Sequence, residues 1–247
     1  MAPLSMSTTQ PDTDVAMSVV VPTHGRTDLF LETLASLAKQ TLTSFEVVVA
    51  DDSIEPDDRR IIQEAVSDYT ERTGRRASYV FSTPGLGQAR NTNQGLKRAV
   101  GRLVRILHSD DLLAPRALEA EAALMSDSRL NLDLLYHHVE AFTDTPRFDR
   151  QPVLTLVQPA LFFRSCLHSG TPLPSATVFR RERLVEVGGM REDFDFLCDW
   201  EFFTRLLVAQ QRHNRFLGQL TQGFVGWRVH MASTTGRLWH RHFLEHE

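Results

Sequence analysis

The chain has 247 residues, 42% of them hydrophobic and 23% charged, which is typical of a folded globular protein. Its formal net charge of -4 argues against nucleic acid as the main partner, because binding to a phosphate backbone needs a basic face. Two cysteines, Cys166 and Cys198, are too few for a disulfide scaffold and are predicted to be buried thiols in a reducing compartment.

The two ends of the chain differ in character from its centre. Residues 1–16 are polar and lack the charged start and apolar core of a signal peptide, so a flexible lead is predicted. No apolar stretch is long enough to cross a bilayer, and we expect a cytoplasmic protein. Residues 237–247 mix basic and large apolar side chains, which suits peripheral contact with the inner face of a membrane or with a neighbouring domain. The same pattern also fits an amphipathic helix packed on its own core.

Strand-like and helix-like segments alternate in the first half of the chain. Short apolar, β-branched runs predict strands at 18–21, 45–50, 78–81 and 103–107. Helices are predicted after Thr27 and Asp28, over 56–73 and over 88–100. Strands that are almost continuously apolar, joined by helices, indicate a doubly wound parallel α/β sheet covered on both faces.

The second half is less regular. Strands are predicted at 132–139 and 176–179, a short helix ends at Gly188-Gly189, and another helix runs from Asp199 to about Gln211. Residues 142–152 look like a polar connection, and residues 153–169 look apolar but irregular, as for one wall of a pocket. We predict one domain over 17–236, with a donor half at 17–112 and an acceptor half at 113–236.

Polar pairs follow several predicted strands directly. Pro22-Thr23, Asp51-Asp52 and Asp110-Asp111 each stand at a carboxyl end, where sheets of this kind bind their ligands. One acidic pair alone is usually a turn, and Asp110-Asp111 also suits the cap of a helix near Pro115. Several pairs at one edge predict a site, and adjacent carboxylates suit Mg²⁺ or Mn²⁺.

Taken in order, a set of short motifs resembles glycosyltransferase family 2. The matching segments are Val19-Val20-Val21-Pro22-Thr23, the strand that ends in Asp51-Asp52-Ser53, Gly87-Gln88-Ala89-Arg90-Asn91, Gly101, Ser109-Asp110-Asp111, Phe179-Arg180-Arg181, Gly188-Gly189 and Asp199-Trp200-Glu201. The resemblance spans roughly residues 17–231 and implies the GT-A fold, a Rossmann-like, mostly parallel central sheet flanked by helices, with a smaller acceptor-side region.

The resemblance implies roles for individual residues on the donor side. The base and ribose pocket would be lined by Pro22, Thr23, Asp51 and Asp52, with Asp52 the first choice to accept a hydrogen bond from the base and Asp51 the alternative. Arg90 would lie near the diphosphate or brace the acidic residues.

The resemblance also implies a metal ligand and a catalytic base. Asp111 would bind the metal, and Asp110 would contact the ribose or the donor sugar. Asp199 matches the family's general base, although it also suits the cap of its own helix. His230 would complete the metal shell or contact phosphate, or else be an ordinary surface histidine.

Two positions depart from the family's pattern. His108 stands where many relatives carry an acidic residue; it can ligate a transition metal or simply pack against the sheet. Cys198 stands where relatives often have Glu before the catalytic Asp.

The expected activity is inverting transfer of a sugar from a UDP, TDP or GDP sugar to a hydroxyl of a polysaccharide, glycan or lipid-linked glycan. The expected cofactor is Mn²⁺ or Mg²⁺. One alternative is a degenerate GT-A domain that binds a saccharide or a partner without turnover, which His108 and Cys198 favour. A nucleotidyltransferase is the other, although residues 22–26 are a poor version of its glycine-rich loop.

Overall fold

A computed structural model describes residues 12–169, 173–213 and 215–230. The predicted segment 237–247 and the first part of the predicted lead, residues 1–11, lie outside the described residues. Among the helices that are described, none is both long and apolar enough to cross a membrane.

The described residues contain eleven strands and seven α-helices. The strands are β1 (Met17–Thr23), β2 (Phe45–Asp51), β3 (Arg76–Phe81), β4 (Leu103–Ile106), β5 (Leu112–Leu113), β6 (Leu132–His137), β7 (Glu140–Phe142), β8 (Leu154–Val157), β9 (Thr177–Arg180), β10 (Phe216–Leu220) and β11 (Val225–Arg228). The helices are α1 (Thr27–Ala38), α2 (Pro56–Thr73), α3 (Gln88–Arg98), α4 (Ala117–Ser126), α5 (Pro159–Ser169), α6 (Arg181–Val187) and α7 (Cys198–Gln211). A single 3₁₀ turn, Pro174–Ala176, precedes β9.

Eight strands form the central sheet in the order β3-β2-β1-β4-β9-β6-β10-β8, and β5, β11 and β7 form a second, three-stranded sheet. In the central sheet β1 is parallel to β2 and β4, β2 to β3, and β6 to β10. Strand β9 is antiparallel to β4 and β6, and β8 is antiparallel to β10. Most strands therefore run in one direction, which confirms the predicted mostly parallel α/β sheet.

Both faces of the sheet are covered, which explains the continuous apolar runs. Along β1 and β2, Val20 and Val48 belong to one core cluster, while Val19 and Val47 belong to the other. Helices α3, α5, α6 and α7 supply side chains to the first cluster, and α1, α2 and α4 to the second. A strand buried on both faces has no polar side to alternate with its apolar side.

The topology gathers several helix starts at one edge of the sheet, the carboxyl edge of β1, β2 and β4. Helices α1 and α3 follow parallel strands and so begin at this edge. Helix α7 is followed closely by β10, which runs in the same direction as β6, so α7 ends at the opposite edge and its first turn also lies at the carboxyl edge.

The prediction that residues 153–169 are irregular was wrong, because these residues form β8 and α5. β8 is the last strand of the sheet and its residues are half-buried or exposed, so the strand lacks the apolar run of the central strands. In α5, Phe162 and Cys166 are buried one turn apart, but Leu161 is exposed and obscures the helical period.

Two further boundaries differ from the prediction. The strand expected at 132–139 is β6 alone, and the chain then enters the second sheet through β7. Residues 12–16, predicted as part of a flexible lead, are attached to the domain, because Val15 is buried, the amide of Ala16 donates to the carbonyl of Ser44 at 2.7 Å, and Asp12 pairs with Arg76 at 2.8 Å. Both cysteines are buried free thiols, as predicted.

Candidate active site

The acidic loop, residues 108–111, follows β4 at the carboxyl edge of the sheet. His108, Asp110 and Asp111 each offer one ligand atom, and these atoms all lie within 4.8 Å of one another. An imidazole nitrogen with two carboxylate oxygens is a donor set that suits Mn²⁺, and the oxygens also suit Mg²⁺. The described residues here therefore fit a divalent cation.

Asp110 is surrounded by cationic and potentially cationic groups. Its side chain is 13% exposed, and its Oδ2 accepts hydrogen bonds from Arg26 Nη1 at 2.8 Å and His230 Nε2 at 3.0 Å. Burial raises the pKa of Asp110, but His108, Arg26 and His230 together bring that pKa below its ordinary value. Asp110 is therefore a carboxylate at neutral pH.

Asp111 has the opposite surroundings although it is the next residue. It is 2% exposed, and its Oδ1 accepts a hydrogen bond from the backbone N–H of Arg228 at 2.9 Å. Burial and the negative charge of Asp110 raise the pKa of Asp111 to about 6, against opposing contributions from His108 and a hydrogen bond from Ser175. A nearby cation would relieve this repulsion between adjacent carboxylates.

Two arginines complete this end of the site, and no role was predicted for either of them. Arg26 caps α1 in the left-handed conformation, φ 51° and ψ 48°, which a non-glycine residue rarely adopts. Arg228 donates from Nε to the carbonyl of Asp110 at 2.9 Å and from Nη2 to Glu32 at 2.5 Å. The one sequence signal for both was position: Arg26 follows β1, and Arg228 is two residues before His230.

On the donor side, Asp52 is buried and its carboxylate is already hydrogen-bonded. Oδ2 accepts from the N–H of Gly87 at 2.9 Å, and Oδ1 lies 3.3 Å from Asn91 Nδ2 and 3.1 Å from His24 Nδ1. A nucleotide base that used Asp52 would have to share it with these groups.

Asp51 is also buried and engaged. It accepts hydrogen bonds from the amide and the hydroxyl of Ser53, the amide at 2.9 Å, and from Tyr79 Oη at 2.7 Å. Burial and the bond to Asp51 raise the pKa of Tyr79, so the phenol stays a hydrogen-bond donor. Asp51 thus links the ends of β2 and β3.

Pro22 and Thr23 end β1 beside this acidic pair. Pro22 is half-buried and Thr23 is buried. The carbonyl of Thr23 accepts from Asn91 Nδ2 at 3.0 Å and from the amide of Asp52 at 3.2 Å. Asn91 therefore joins the start of α3 to the ends of β1 and β2.

Helix α3 also contacts the segment that leads to α7. The Arg90 side chain is 55% exposed, and its Nε lies 3.5 Å from Glu192 Oε2, so its ion pair is with Glu192 and not with the acidic loop. Asn93 is buried and hydrogen-bonds the backbone of Met190 twice. Its Oδ1 accepts from the amide of Met190 at 2.8 Å, and its Nδ2 donates to the carbonyl of Met190 at 2.9 Å. A Cβ at Gly189 would lie 2.3 Å from Asn93 Oδ1, so this contact requires glycine.

Asp199 lies in the first turn of α7, half-buried, and its Oδ1 accepts a hydrogen bond from the amide of Trp200 at 2.7 Å. Arg205, further along the helix, donates to the carbonyls of Val187 and Gly189, the second at 2.7 Å. The segment before Asp199 is therefore held by both α3 and α7.

The chain is similar to known proteins at three levels: a protein family, sequence relatives and solved structures. A model described as "Glycosyl transferase family 2" matches residues 18–188. The O-antigen biosynthesis protein RfbC of Myxococcus xanthus is 33% identical over 228 residues, which are 90% of this chain and 16% of RfbC. S. aureus TarS 1-349 in complex with UDP-GlcNAc aligns with a TM-score of 0.66 at 22% identity, over 89% of this chain and 60% of that chain.

A third similar protein is the mannosyltransferase PcManGT from Pyrobaculum calidifontis, solved with GDP-Man and Mn²⁺, with a TM-score of 0.61 at 19% identity over 99% of this chain and 64% of that chain. The chain spans less than two thirds of the length of each of these proteins. Their structural likeness shows the fold alone, and it confirms the GT-A type of sheet that the sequence predicted. Because the family model covers well over half of the chain, from β1 through the acidic loop to α6, the chain belongs to glycosyltransferase family 2.

Proposed function

We propose that the chain transfers a sugar from a nucleoside-diphosphate sugar to a hydroxyl acceptor, with the help of a divalent cation and with inversion at the anomeric carbon. The observation that carries the proposal is the cluster of His108, Asp110 and Asp111 at the edge where α1, α3 and α7 begin. TarS binds UDP-GlcNAc and PcManGT binds GDP-Man and Mn²⁺, which supports a donor of the UDP, GDP or TDP type.

The arrangement of the acidic loop favours Asp110 and His230 as cation ligands. Asp110 is the more exposed of the two aspartates, and its Oδ2 already lies 3.0 Å from His230 Nε2. Asp111 is nearly inaccessible and accepts a backbone hydrogen bond, so we propose that it completes the ligand set from the buried side, together with His108. Mn²⁺ or Mg²⁺ bound here would stabilise negative charge on the departing diphosphate as a Lewis acid.

Asp199 is proposed as the general base. A hydroxyl acceptor has a high pKa, so a positioned carboxylate must take its proton as the oxygen attacks. The new bond joins the acceptor oxygen to the anomeric carbon while the bond from that carbon to the diphosphate oxygen breaks. The proton goes to Asp199 and the nucleoside diphosphate leaves. One such displacement inverts the anomeric configuration.

The donor nucleotide is proposed to lie against the ends of β1 and β2, at Pro22, Thr23, Asp51 and Asp52. Arg90 is the group proposed to bind the diphosphate. Its ion pair with Glu192 is long, and the Arg90 side chain is largely exposed, so little free energy opposes its transfer to a phosphate.

The proposed acceptor class is a cell-envelope polysaccharide or a lipid-linked glycan. RfbC, which is similar over 90% of this chain, is named for O-antigen biosynthesis. We infer action in the cytoplasm, where nucleotide sugars are the available donors.

A binding module without turnover is the second candidate, because His108 replaces a carboxylate and Cys198 precedes Asp199. The deciding experiment is a thermal-shift screen with UDP, GDP and TDP sugars, each with and without Mn²⁺, followed by assay of donor hydrolysis and transfer. Stabilisation that needs both sugar nucleotide and Mn²⁺, with turnover, is the expected result. Stabilisation by a saccharide without turnover would establish the binding module, and NMR showing retained configuration would overturn inversion.

A further inference from the structure

A group of ionisable side chains lies fully buried beneath the acidic loop. Arg105 in β4, Glu121 in α4 and His137 in β6 have no exposed side-chain surface. Arg105 Nη1 lies 2.5 Å from Glu121 Oε1, and His137 Nε2 lies 2.9 Å from the same oxygen, although the ring is not aligned for a hydrogen bond. Charged residues are rarely buried so completely, because the loss of their hydration is energetically unfavourable.

The surroundings of Glu121 and His137 indicate which of them is charged. Burial raises the pKa of Glu121, but the guanidinium of Arg105 beside it brings that pKa below its ordinary value, so the carboxylate is ionised. Burial lowers the pKa of His137, so the imidazole is neutral at pH 7. Arg105 and Glu121 therefore form a buried ion pair, which is rigid because either partner alone would be a buried unpaired charge.

Arg105 reaches from this ion pair towards the acidic loop. Its other terminal nitrogen, Nη2, donates to the carbonyl oxygen of Ser175 in the 3₁₀ turn before β9. Ser175 is buried, and its hydroxyl oxygen accepts the backbone N–H of His108 at 2.9 Å. Asp111 lies three residues further along the same loop, and its amide donates to the carbonyl of His108 at 3.1 Å. Ser175 thus contacts the buried pair through its backbone and the acidic loop through its side chain.

We propose that Ser175 is a positioning residue for the cation site: its hydroxyl fixes the acidic loop, and the Arg105–Glu121 pair fixes Ser175. The inference rests on the proposed function, because it requires a cation at the loop. Held in this way, Asp110 and Asp111 cannot move apart to relieve their repulsion, so the site stays arranged for a cation. Groups that orient metal ligands from behind typically contribute about 10–100-fold to metal affinity.

The test compares Ser175→Ala with Thr177→Val. Thr177 is also buried and is two residues away, but its hydroxyl donates to the carbonyl of Leu173 at 3.0 Å and not to the acidic loop. Mn²⁺ alone is titrated into each protein, and free Mn²⁺ is followed by electron paramagnetic resonance beside a thermal unfolding scan. Ser175→Ala is expected to weaken Mn²⁺ binding about 10–100-fold with an unfolding temperature like that of Thr177→Val, which keeps wild-type affinity.

Wild-type affinity in Ser175→Ala, or equal weakening in both variants, overturns the positioning role. Failure of the wild-type protein to bind Mn²⁺ overturns the proposed cation site itself, so the two failures are distinguishable. Should Ser175→Ala not fold, Arg105→Lys replaces it: one ammonium group keeps the charge beside Glu121 but lacks the second nitrogen that reaches Ser175. Several-fold weaker Mn²⁺ binding is then expected, and unchanged binding contradicts the proposal.

Discussion

Two acidic pairs, Asp51-Asp52 and Asp110-Asp111, follow parallel strands at the same edge of the sheet, and the structure gives them opposite surroundings. The first pair accepts hydrogen bonds mainly from uncharged donors, among them Ser53, Tyr79 and the amide of Gly87. The second pair meets arginine and histidine side chains on one aspartate and carboxylate repulsion on the other.

The difference shows how neighbouring carboxylates with the same spacing acquire different tasks. A carboxylate whose oxygens are filled by internal donors holds strands and helices together. Two carboxylates that face each other repel electrostatically, and a bound cation offsets that repulsion. We therefore expect the first pair to govern folding stability and the second to govern cation binding.

The largest expected effect concerns Asp199, the proposed general base, in the first turn of α7 at the same edge of the sheet. Asp199→Asn keeps the size of the side chain but cannot take a proton, so kcat for transfer is expected to fall about 10²–10⁴-fold. Nucleotide affinity, measured by calorimetry, should not change. Asp193→Asn is the matched control, since Asp193 is an exposed carboxylate in the same segment, paired with Arg191. Loss of nucleotide affinity in Asp199→Asn would show a structural role.

Asp110→Asn tests the second pair directly. Removing the charge that Arg26 and His230 surround is expected to weaken Mn²⁺ binding at least about 10²-fold, more than the loss of a supporting residue. Asp52→Asn makes the same chemical change in the first pair and should leave Mn²⁺ affinity within about twofold. Titrations of Mn²⁺ into both variants measure the contrast, and equal losses would remove the distinction between the pairs.

Asn91→Ala tests the first pair. Its amide joins the carbonyls of Thr23 and Ala50 to Asp52, at 3.0, 2.9 and 3.3 Å, and all three acceptors are buried. The free energy of unfolding in urea is expected to fall by about 2 kcal/mol, because buried acceptors lose their donor. Mn²⁺ affinity should match that of the wild type. A stable variant with weakened Mn²⁺ binding would reverse the assignment.

The smallest expected effect is a pH dependence of the folding stability, and it comes from the buried His137. Burial lowers the pKa of His137 from 6.5, so the folded protein keeps this ring neutral where the unfolded chain binds a proton. Its contribution to stability is present above pH 6.5 and is lost as pH falls through the lowered folded-state pKa.

Below about pH 6.5 the wild type should therefore lose up to about 1.4 kcal/mol per pH unit more than His137→Gln. Guanidinium unfolding of both proteins at pH 7.5 and 5.5 measures the difference. Equal losses would show that His137 is protonated in the folded protein.

Much of the donor half could be predicted because its strands are buried on both faces. The valine-rich runs of β1 and β2 identify these segments as strands from the sequence alone. Asp51, Asp52, Asp110 and Asp111 follow such apolar strands directly. The acceptor half was harder, since β8 is an exposed edge strand and α5 has Leu161 on its solvent side. Elements at the edge lack the continuous run of apolar residues from which the central strands could be predicted.

The sequence by itself determined the fold class, the family and the acidic residues that end the strands. Only the tertiary structure decided which acidic pair is filled by internal hydrogen bonds, and that Ser175 and Arg105 lie behind the acidic loop. The physical reason is that a carboxylate takes its role from the groups that meet it. For Asp110 and Asp111 those groups are Arg26, His230 and Arg228, which strand register and crossovers bring together from distant parts of the chain.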